Sequence, residues 1–458
     1  MGWCIWVATV VAVAVAPWIF GAWEMWWFWP FASLLAIGVM VLGLRLALGS
    51  FSDKDPAVRR ALWILAMAIP FLSYAIARGL ASPVFMDAER SVLLHVSGVA
   101  VASMVVFGMD ARQRRLLFGL LFLSLAVMAV YGIANHVIDG SRHVLWRPRY
   151  EQYAGRATGP YFCPDHFAGA MELLFCMSAG LLLDRSRRGI PVRCVAAAAA
   201  LLAATGVLLS KSRGAGMTLV LVCACIVVWG FAQWPRVVQW HWRVIAVSAA
   251  LLAGMAALHS FPAYTERFVT YAGLHQVRAD GDTPVHAEVL ERLRQTCRGR
   301  MFGGAWRAWK TSPWVGVGSG MHQHLWPRFA ATPDGDVARG RWPEMTNENF
   351  HSFEVHNDWL QLLEEYGLAG MILFLIPFSA VALHLLRGLR SESRRWRDAV
   401  SAPPQADGFA LTLAGLLALV AMAFHSLGDF NLQMPGTVWI LSALLGLAVR
   451  QCPSGSSD

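Results

Sequence analysis

The residues of this chain best suited to chemistry gather around one histidine, His356, in Val355-His356-Asn357-Asp358-Trp359-Leu360-Gln361-Leu362-Leu363-Glu364-Glu365-Tyr366-Gly367. A long polar stretch here runs into a hydrophobic helix, which would hold an imidazole at a fixed membrane depth while leaving it open to water-borne chemistry. At a helix start the partial positive charge disfavours the imidazolium, so the ring stays neutral and able to accept a proton. Glu365 follows about 900° of helical rotation later and should partner another element. Asn357 and Asp358 are the nearer candidates for orienting the ring. A polar helix end at the interface is the bland alternative, and spacing alone does not separate the two.

Arginines supply the complementary chemistry. Arg213, within Ser210-Lys211-Ser212-Arg213-Gly214, opens a helix, the geometry that favours a bound phosphate. Arg156 follows Arg147 and Arg149 and precedes Ala157-Thr158-Gly159-Pro160-Tyr161-Phe162, while Arg298 and Arg300 lie in a long polar segment. Each could be a snorkelling or solvated charge. Their concentration on the face away from the cytoplasm would be explained by an anionic ligand such as a diphosphate, whose oxygens match planar guanidinium forks. Late in the chain, Ala423 to Pro435 places His425, Asp429 and Asn431 close together. That set could bind sugar hydroxyls or form a polar hairpin between two spans.

Other signals are weak. Asp280-Gly281-Asp282 and Asp334-Gly335-Asp336 imitate the paired carboxylates of metal-dependent glycosyltransferases, but Asp-Gly is first of all a turn signal. Gly316-Val317-Gly318-Ser319-Gly320 imitates a phosphate cradle without a preceding strand or a clear following helix. There is no His/Cys set with zinc spacing, no serine nucleophile elbow and no Walker motif, so neither metal nor ATP use is expected.

The positioning elements must be membrane helices. The chain is 57% hydrophobic and 15% charged, with 21 Trp. About twelve apolar runs are long enough to span a bilayer: 3–22, 26–48, 61–79, 91–109, 115–136, 165–184, 193–210, 214–233, 243–260, 366–387, 407–427 and 434–450. The first lacks a basic leader and a good cleavage site, so it is read as a retained span. Arg45, Lys54, Arg59 and Arg60, then Arg112, Arg114 and Arg115, then Arg185, Arg187, Arg188 and Arg193 occupy alternate loops. Arg236 and Arg243, then Arg387, Arg390, Arg394, Arg395 and Arg397 continue the series. The positive-inside rule puts these loops and both termini in the cytoplasm. The net charge of +9 reflects this bias and is not a sign of nucleic-acid binding.

The expected organisation is therefore N-terminal spans over 1–136, and central spans over 137–260 with an outer loop at 137–164. An outer loop domain over 261–355, C-terminal spans over 356–450 and a disordered tail at 451–458 complete it. Within the loop domain Ala287–Thr311 reads as helical, weakened at Gly303-Gly304 and stopped by Pro313, followed by a turn-rich return and an irregular polar stretch that could act as a lid. Cys163 and Cys297 both fall outside the spans, which leaves a disulfide between them open.

At these residues the chain resembles the O-antigen ligase and polymerase superfamily of bacterial envelope glycosyltransferases, most strongly from residue 156 onward. His356-Asn357-Asp358-Trp359-Leu360 through Glu365-Tyr366-Gly367 is similar to the family's histidine signature. Ser212-Arg213-Gly214 is similar to its Ser-Arg element. Arg298 with Met301-Phe302, Pro313 and Gly316-Val317-Gly318 resembles its arginine-led outer-loop helix, with Phe302 where Trp is usual. Arg298 and Arg300 both compete for that role, and spacing to Pro313 favours Arg298. Arg156–Phe167 and His425–Pro435 resemble further family segments.

The resemblance implies an all-α integral membrane protein of the bacterial inner membrane, GT-C-like, with a large periplasmic loop domain. It implies transfer of glycan from undecaprenyl diphosphate to an acceptor sugar hydroxyl on the periplasmic side, without metal, nucleotide or other cofactor. The acceptor would be lipid A-core for a ligase or a lipid-linked oligosaccharide for a polymerase. Catalytic roles fall to His356, Arg213 and Arg298, and substrate binding to Arg156, Arg300, Lys211, Asn357, Asp429 and His425. Because sugar nucleotides are confined to the cytoplasm, a lipid-carried donor suits an outer-face site. The alternative is a transporter or flippase, which calls for ionisable residues lining a mid-membrane path. Here charges sit at span ends apart from Glu172 and the Glu364/Glu365 pair.

Overall fold

The computed structural model describes residues 1–49, 55–149, 151–184, 189–233, 254, 266, 269, 285–330, 351–398 and 406–452. The expected span 243–260 (Gly254 apart), both Asp-Gly-Asp motifs and the tail from Pro453 lie outside the described residues. Within them the chain is helical, apart from a short antiparallel pair, β1 (His143–Val144) and β2 (Arg147–Pro148). Nine helices are long and apolar enough to cross a membrane among the described residues. Twelve spans are therefore not reached on the described chain, although the helix Pro435–Gln451 is apolar and packed like them.

Local chemistry sets the ends of these helices. In α1 (Gly2–Val10) the expected first span begins normally, then loosens through a π turn and two 3₁₀ turns by Ala22, with Pro17 in the break. Next come α2 (Met25–Ala47) and the expected 61–79 span, which is split into α3 (Pro56–Ala66) and α4 (Ile69–Leu80). The split falls just before Pro70, which cannot donate into a continuous ladder. α5 (Phe85–Gly108) leads to α6 (Ala111–Asp139), which opens with a reciprocal Asp110/Gln113 capping box.

α7 (Pro164–Leu183) is the axial helix, buried along most of its length. It packs against α8 (Ile190–Ser210) and α9 (Arg213–Gln233). The other flank of α7 meets α14 (Ala406–His425), beside which α15 (Pro435–Gln451) lies against α5. Their neighbour α13 (Asp358–Asp398) is kinked at Gly367. Thus the start of α7, the α8–α9 junction, the start of α13 and the α14–α15 turn all meet at one end of the bundle.

Between α9 and α13 stand the helices of the polar segment, α10 (Val285–Gln295), α11 (Cys297–Thr311) and α12 (His322–Ala330). The expected weak point at Gly303-Gly304 is instead continuous helix. A Cβ on Gly304 would lie 2.8 Å from the Trp326 ring, so its bareness lets α12 pack. The break comes earlier, at Thr296, whose hydroxyl accepts from the Gly299 amide and restarts the helix as α11. Helix α11 ends at Thr311, just before Pro313 as expected.

The Gly-rich return clasps α13. Val317 and Gly318 amides donate to the Glu364 and Glu365 carbonyls, and Leu368 and Ala369 amides donate to the Pro313 and Trp314 carbonyls. Gly316 (φ 73°) and Gly367 (φ 67°) meet at this crossing, where a Cβ on Gly316 would lie 2.3 Å from the Glu365 carbonyl oxygen. Gly316→Ala is therefore expected to destabilise the clasp by about 2–4 kcal/mol, combining overpacking with a left-handed backbone. Faster tryptic cleavage within α10–α12 would report it, and an unchanged cleavage rate would count against the clasp.

Candidate functional site

The site is built at that end of the bundle from five chain segments. Arg156 is buried and donates from Nε to the Ser210 carbonyl at 2.8 Å and from Nη2 to Asp165 Oδ1 at 2.9 Å. It thereby ties the start of α7 to the end of α8. Asp165 also bonds the Ser212 side chain, and Arg298 on α11 brings Nη2 to 3.7 Å from Asp165 Oδ2. Two guanidinium groups thus converge on this one carboxylate.

The histidine stands on the other side of this cluster. His356 Nδ1 lies 3.2 Å from Asp429 Oδ1, and the imidazole is 26% exposed against 1% for the carboxylate. Asp429 is fixed by the Phe430 amide, 2.9 Å from the same oxygen. Burial and the nearby Asp165 push the Asp429 carboxyl up, but the His356 bond, Arg298 and His166 outweigh them and hold it down at about 2. Asp429 is thus ionised at neutral pH and accepts only, so the proton it shares with His356 sits on Nδ1. In the neutral ring Nε2 then carries the lone pair, the tautomer a base requires. Phe430 packs edge-on against His356 at 4.5 Å and against His166 at 4.4 Å, which limits ring rotation.

Arg298 and this pair belong to one neighbourhood. A Cβ on Gly428 would lie 3.8 Å from Arg298 Nη1, so the guanidinium sits over the turn that carries Asp429. Behind the turn His425 is fully buried, with Nδ1 3.1 Å from Glu172 Oε2, and Asn431 bridges His425 and His166.

Several expectations change on this geometry. His356 does not open the helix: α13 begins at Asp358, and His356 precedes it in a left-handed conformation (φ 58°). Neither Asn357 nor Asp358 orients the ring. The Asn357 side-chain oxygen caps α13 by accepting from the Leu360 amide at 2.9 Å. The Asp358 carboxylate takes the Ser426 hydroxyl at 2.7 Å and the Leu432 amide at 3.0 Å, pinning α13 to the α14–α15 turn. Asp429, expected among substrate-binding groups, is the orienting residue. His425 is too enclosed by Glu172 and Asn431 to meet a sugar directly.

The arginine excess also has internal partners. Arg147 pairs with Glu24 at 2.7 Å, and Arg149 donates to the carbonyls of Ser141, Arg156 and Phe162. Burial pushes the Arg149 guanidinium down to about 10, still charged at neutral pH. Of the candidates, Arg298 stands at the cluster and Arg213 opens α9 beside Ser212 and Gly214. A Cβ on Gly214 would be 3.0 Å from the His425 ring, which puts that helix start at the same place. Lys211 forms the left-handed joint between α8 and α9 (φ 53°), and Arg300 is partly buried on α11. Cys163 and Cys297 are both thiols, without a disulfide.

The carboxylates that a transport path would use are occupied in packing. Glu172 pairs with His425, Glu364 with His322 at 2.7 Å, and Glu365 accepts from the Gly320 amide at 3.0 Å. Ser352, His322 and Glu364 reproduce the order of a nucleophile triad, yet all three are buried, and the Ser352 hydroxyl donates to the Glu354 carbonyl. Among the described residues no group of three or more His, Cys, Asp or Glu side chains is placed to hold a metal ion. An apolar cavity of about 230 Å³ runs from Asp358, Gln361 and Gln433 at the site end toward Ile64 and Val449, walled by side chains such as Val99, Phe378 and Leu445.

Fold and site together define a multi-pass membrane protein with a buried ionic cluster at one end of its helices. Residues 198–375 match the model of the family described as O-antigen ligase. That stretch, less than half of the chain, is thus similar to the O-antigen ligase family. It takes in Arg213, Arg298 and His356, while Arg156, His425 and Asp429 lie outside it. No curated protein matches the chain.

Proposed function

We propose that the protein is a metal-independent, inverting glycosyltransferase of the bacterial inner membrane, moving glycan from undecaprenyl diphosphate to an acceptor sugar hydroxyl on the periplasmic side. The observation that carries this reading is the His356–Asp429 pair beside Arg298, a base and a cation in one partly exposed cluster. The acceptor oxygen attacks the anomeric carbon of the donor, and its proton passes to His356 Nε2. The bond from that carbon to the diphosphate oxygen breaks, and the electron pair leaves with the diphosphate. Arg298 and Arg213 offset the developing charge, with Lys211 and Arg300 adding to the local positive field. Asp429 stabilises the imidazolium that forms, and Arg156 fixes Asp165 and the α7–α8 junction. The apolar cavity reaching the cluster at Asp358 and Gln433 suits the polyprenyl chain of the carrier. One displacement inverts the anomeric centre.

Purified protein mixed with a defined lipid-linked oligosaccharide, with and without lipid A-core, tests the proposal. The expected result is an elongated or transferred glycan and free undecaprenyl diphosphate in the presence of EDTA. No product with any acceptor, or an absolute need for a divalent ion, would overturn it. Glycan banding in a deletion strain separates the two reactions: loss of a ligase leaves polymer on the carrier, while loss of a polymerase leaves single repeats.

A further inference from the structure

A second, polar pocket lies beside the ionic cluster, between α5, α12 and the chain entering α13. Its enclosed part is about 30 Å³, lined by Asp87, Arg90, Gln323, Glu354, Glu365 and Gln433, with Phe353 at its mouth 61% exposed. A volume of that size holds a couple of water molecules, or one hydroxyl or hydroxymethyl arm of a larger ligand. Arg90 gives Nη2 to the Trp23 carbonyl at 3.1 Å and stacks its guanidinium 4.3 Å over the Trp23 ring, but its buried Nε has no partner. The pocket shares a segment with the base: Gln433 in its lining belongs to the α14–α15 turn that carries Asp429, the partner of His356.

The mixture of charges narrows the ligand. Three carboxylates repel a diphosphate, and the guanidinium repels a metal ion. Burial pushes the Glu354 carboxyl up, while Arg90 and the Gln361 bond act against that rise. Amide, guanidinium and carboxylate groups converging in a small volume suit a ligand whose every polar group both donates and accepts, as hydroxyls do. An exposed aromatic ring at the mouth suits the C–H face of a saccharide.

The geometry points to this pocket as a sugar subsite, in which a pyranose lies against Phe353 and inserts one hydroxyl-bearing arm between Arg90, Gln323, Glu354 and Gln433. It rests on the glycosyltransferase reading for the source of the sugar, but its test does not depend on turnover. The probe is oligosaccharide released by mild acid from the parent organism's own envelope glycan, added to purified full-length His356→Ala protein and followed by saturation-transfer NMR. Binding is expected, and both Phe353→Ala and Gln323→Ala in that background should weaken it about five- to tenfold, the scale of one lost contact. No saturable binding, or binding unchanged in both variants, overturns the subsite even where transfer by the wild type is intact. In active protein the same substitutions should raise KM several-fold more than they lower kcat. A rise confined to the donor places a donor ring here, a rise confined to the acceptor places an acceptor ring, and a rise in neither overturns the assignment.

Discussion

His356→Ala is expected to lower glycan transfer by about 10²–10⁴-fold, the usual contribution of a general base, with membrane insertion and expression intact. The substitution is structurally mild. The imidazole is the exposed partner of its pair, and α13 is capped by Asn357 and tied down by Asp358 independently of it. Asp429→Asn should fall between wild type and His356→Ala, because an amide can hold the ring but does not balance an imidazolium. Transfer assayed with a lipid-linked donor checks both. Near-normal product from His356→Ala would remove the base from the mechanism, and an Asp429→Asn variant worse than His356→Ala would reassign the deficit to folding.

Arg298→Ala should cost about 10²–10³-fold in kcat, the loss seen when one preorganised charge stabiliser is withdrawn from a transition state. Its neighbour Asp165 would keep Arg156 as a counter-ion, so the fold should survive. Arg298→Lys retains the charge but not the planar fork and should recover part of the rate. The comparison is Arg292→Ala, whose guanidinium pairs with Glu288 within α10. Equal losses in the two alanine variants would show that general disturbance of α10–α12 is responsible, and not charge at the leaving group.

Most of the spans were legible because a bilayer leaves a chain little choice: backbone groups must be paired within a helix, and the apolar runs announce where. Helix ends with local causes were legible too, such as the stop before Pro313. What escaped depends on contacts distant in sequence. Asp429 orients a histidine 73 residues away, and Arg147 finds Glu24 across 123 residues, so neither pairing leaves a local mark. Which arginines of the excess are held internally is equally invisible in sequence, since Arg147 and Arg149 take carboxylate and carbonyl partners elsewhere in the chain. Gly303-Gly304 misled for a related reason: propensity assigned a cost there, while Trp326 packing supplied the compensation. The bare histidine signature was readable, but its tautomer was not, since that depends on which neighbour holds Nδ1.

The backbone clasp between the Gly-rich turn and the kinked helix also bears on how such proteins could be recombined. Because Gly316 and Gly367 approach without room for a side chain on either, the two strands of chain must match atom for atom at their crossing. A chimaera that imports only the polar helices from a homologue, or only the span beyond them, would splice through that joint. The smallest unit that should transplant intact runs from Thr296 through Gly370, carrying cap, hinge and histidine as one piece.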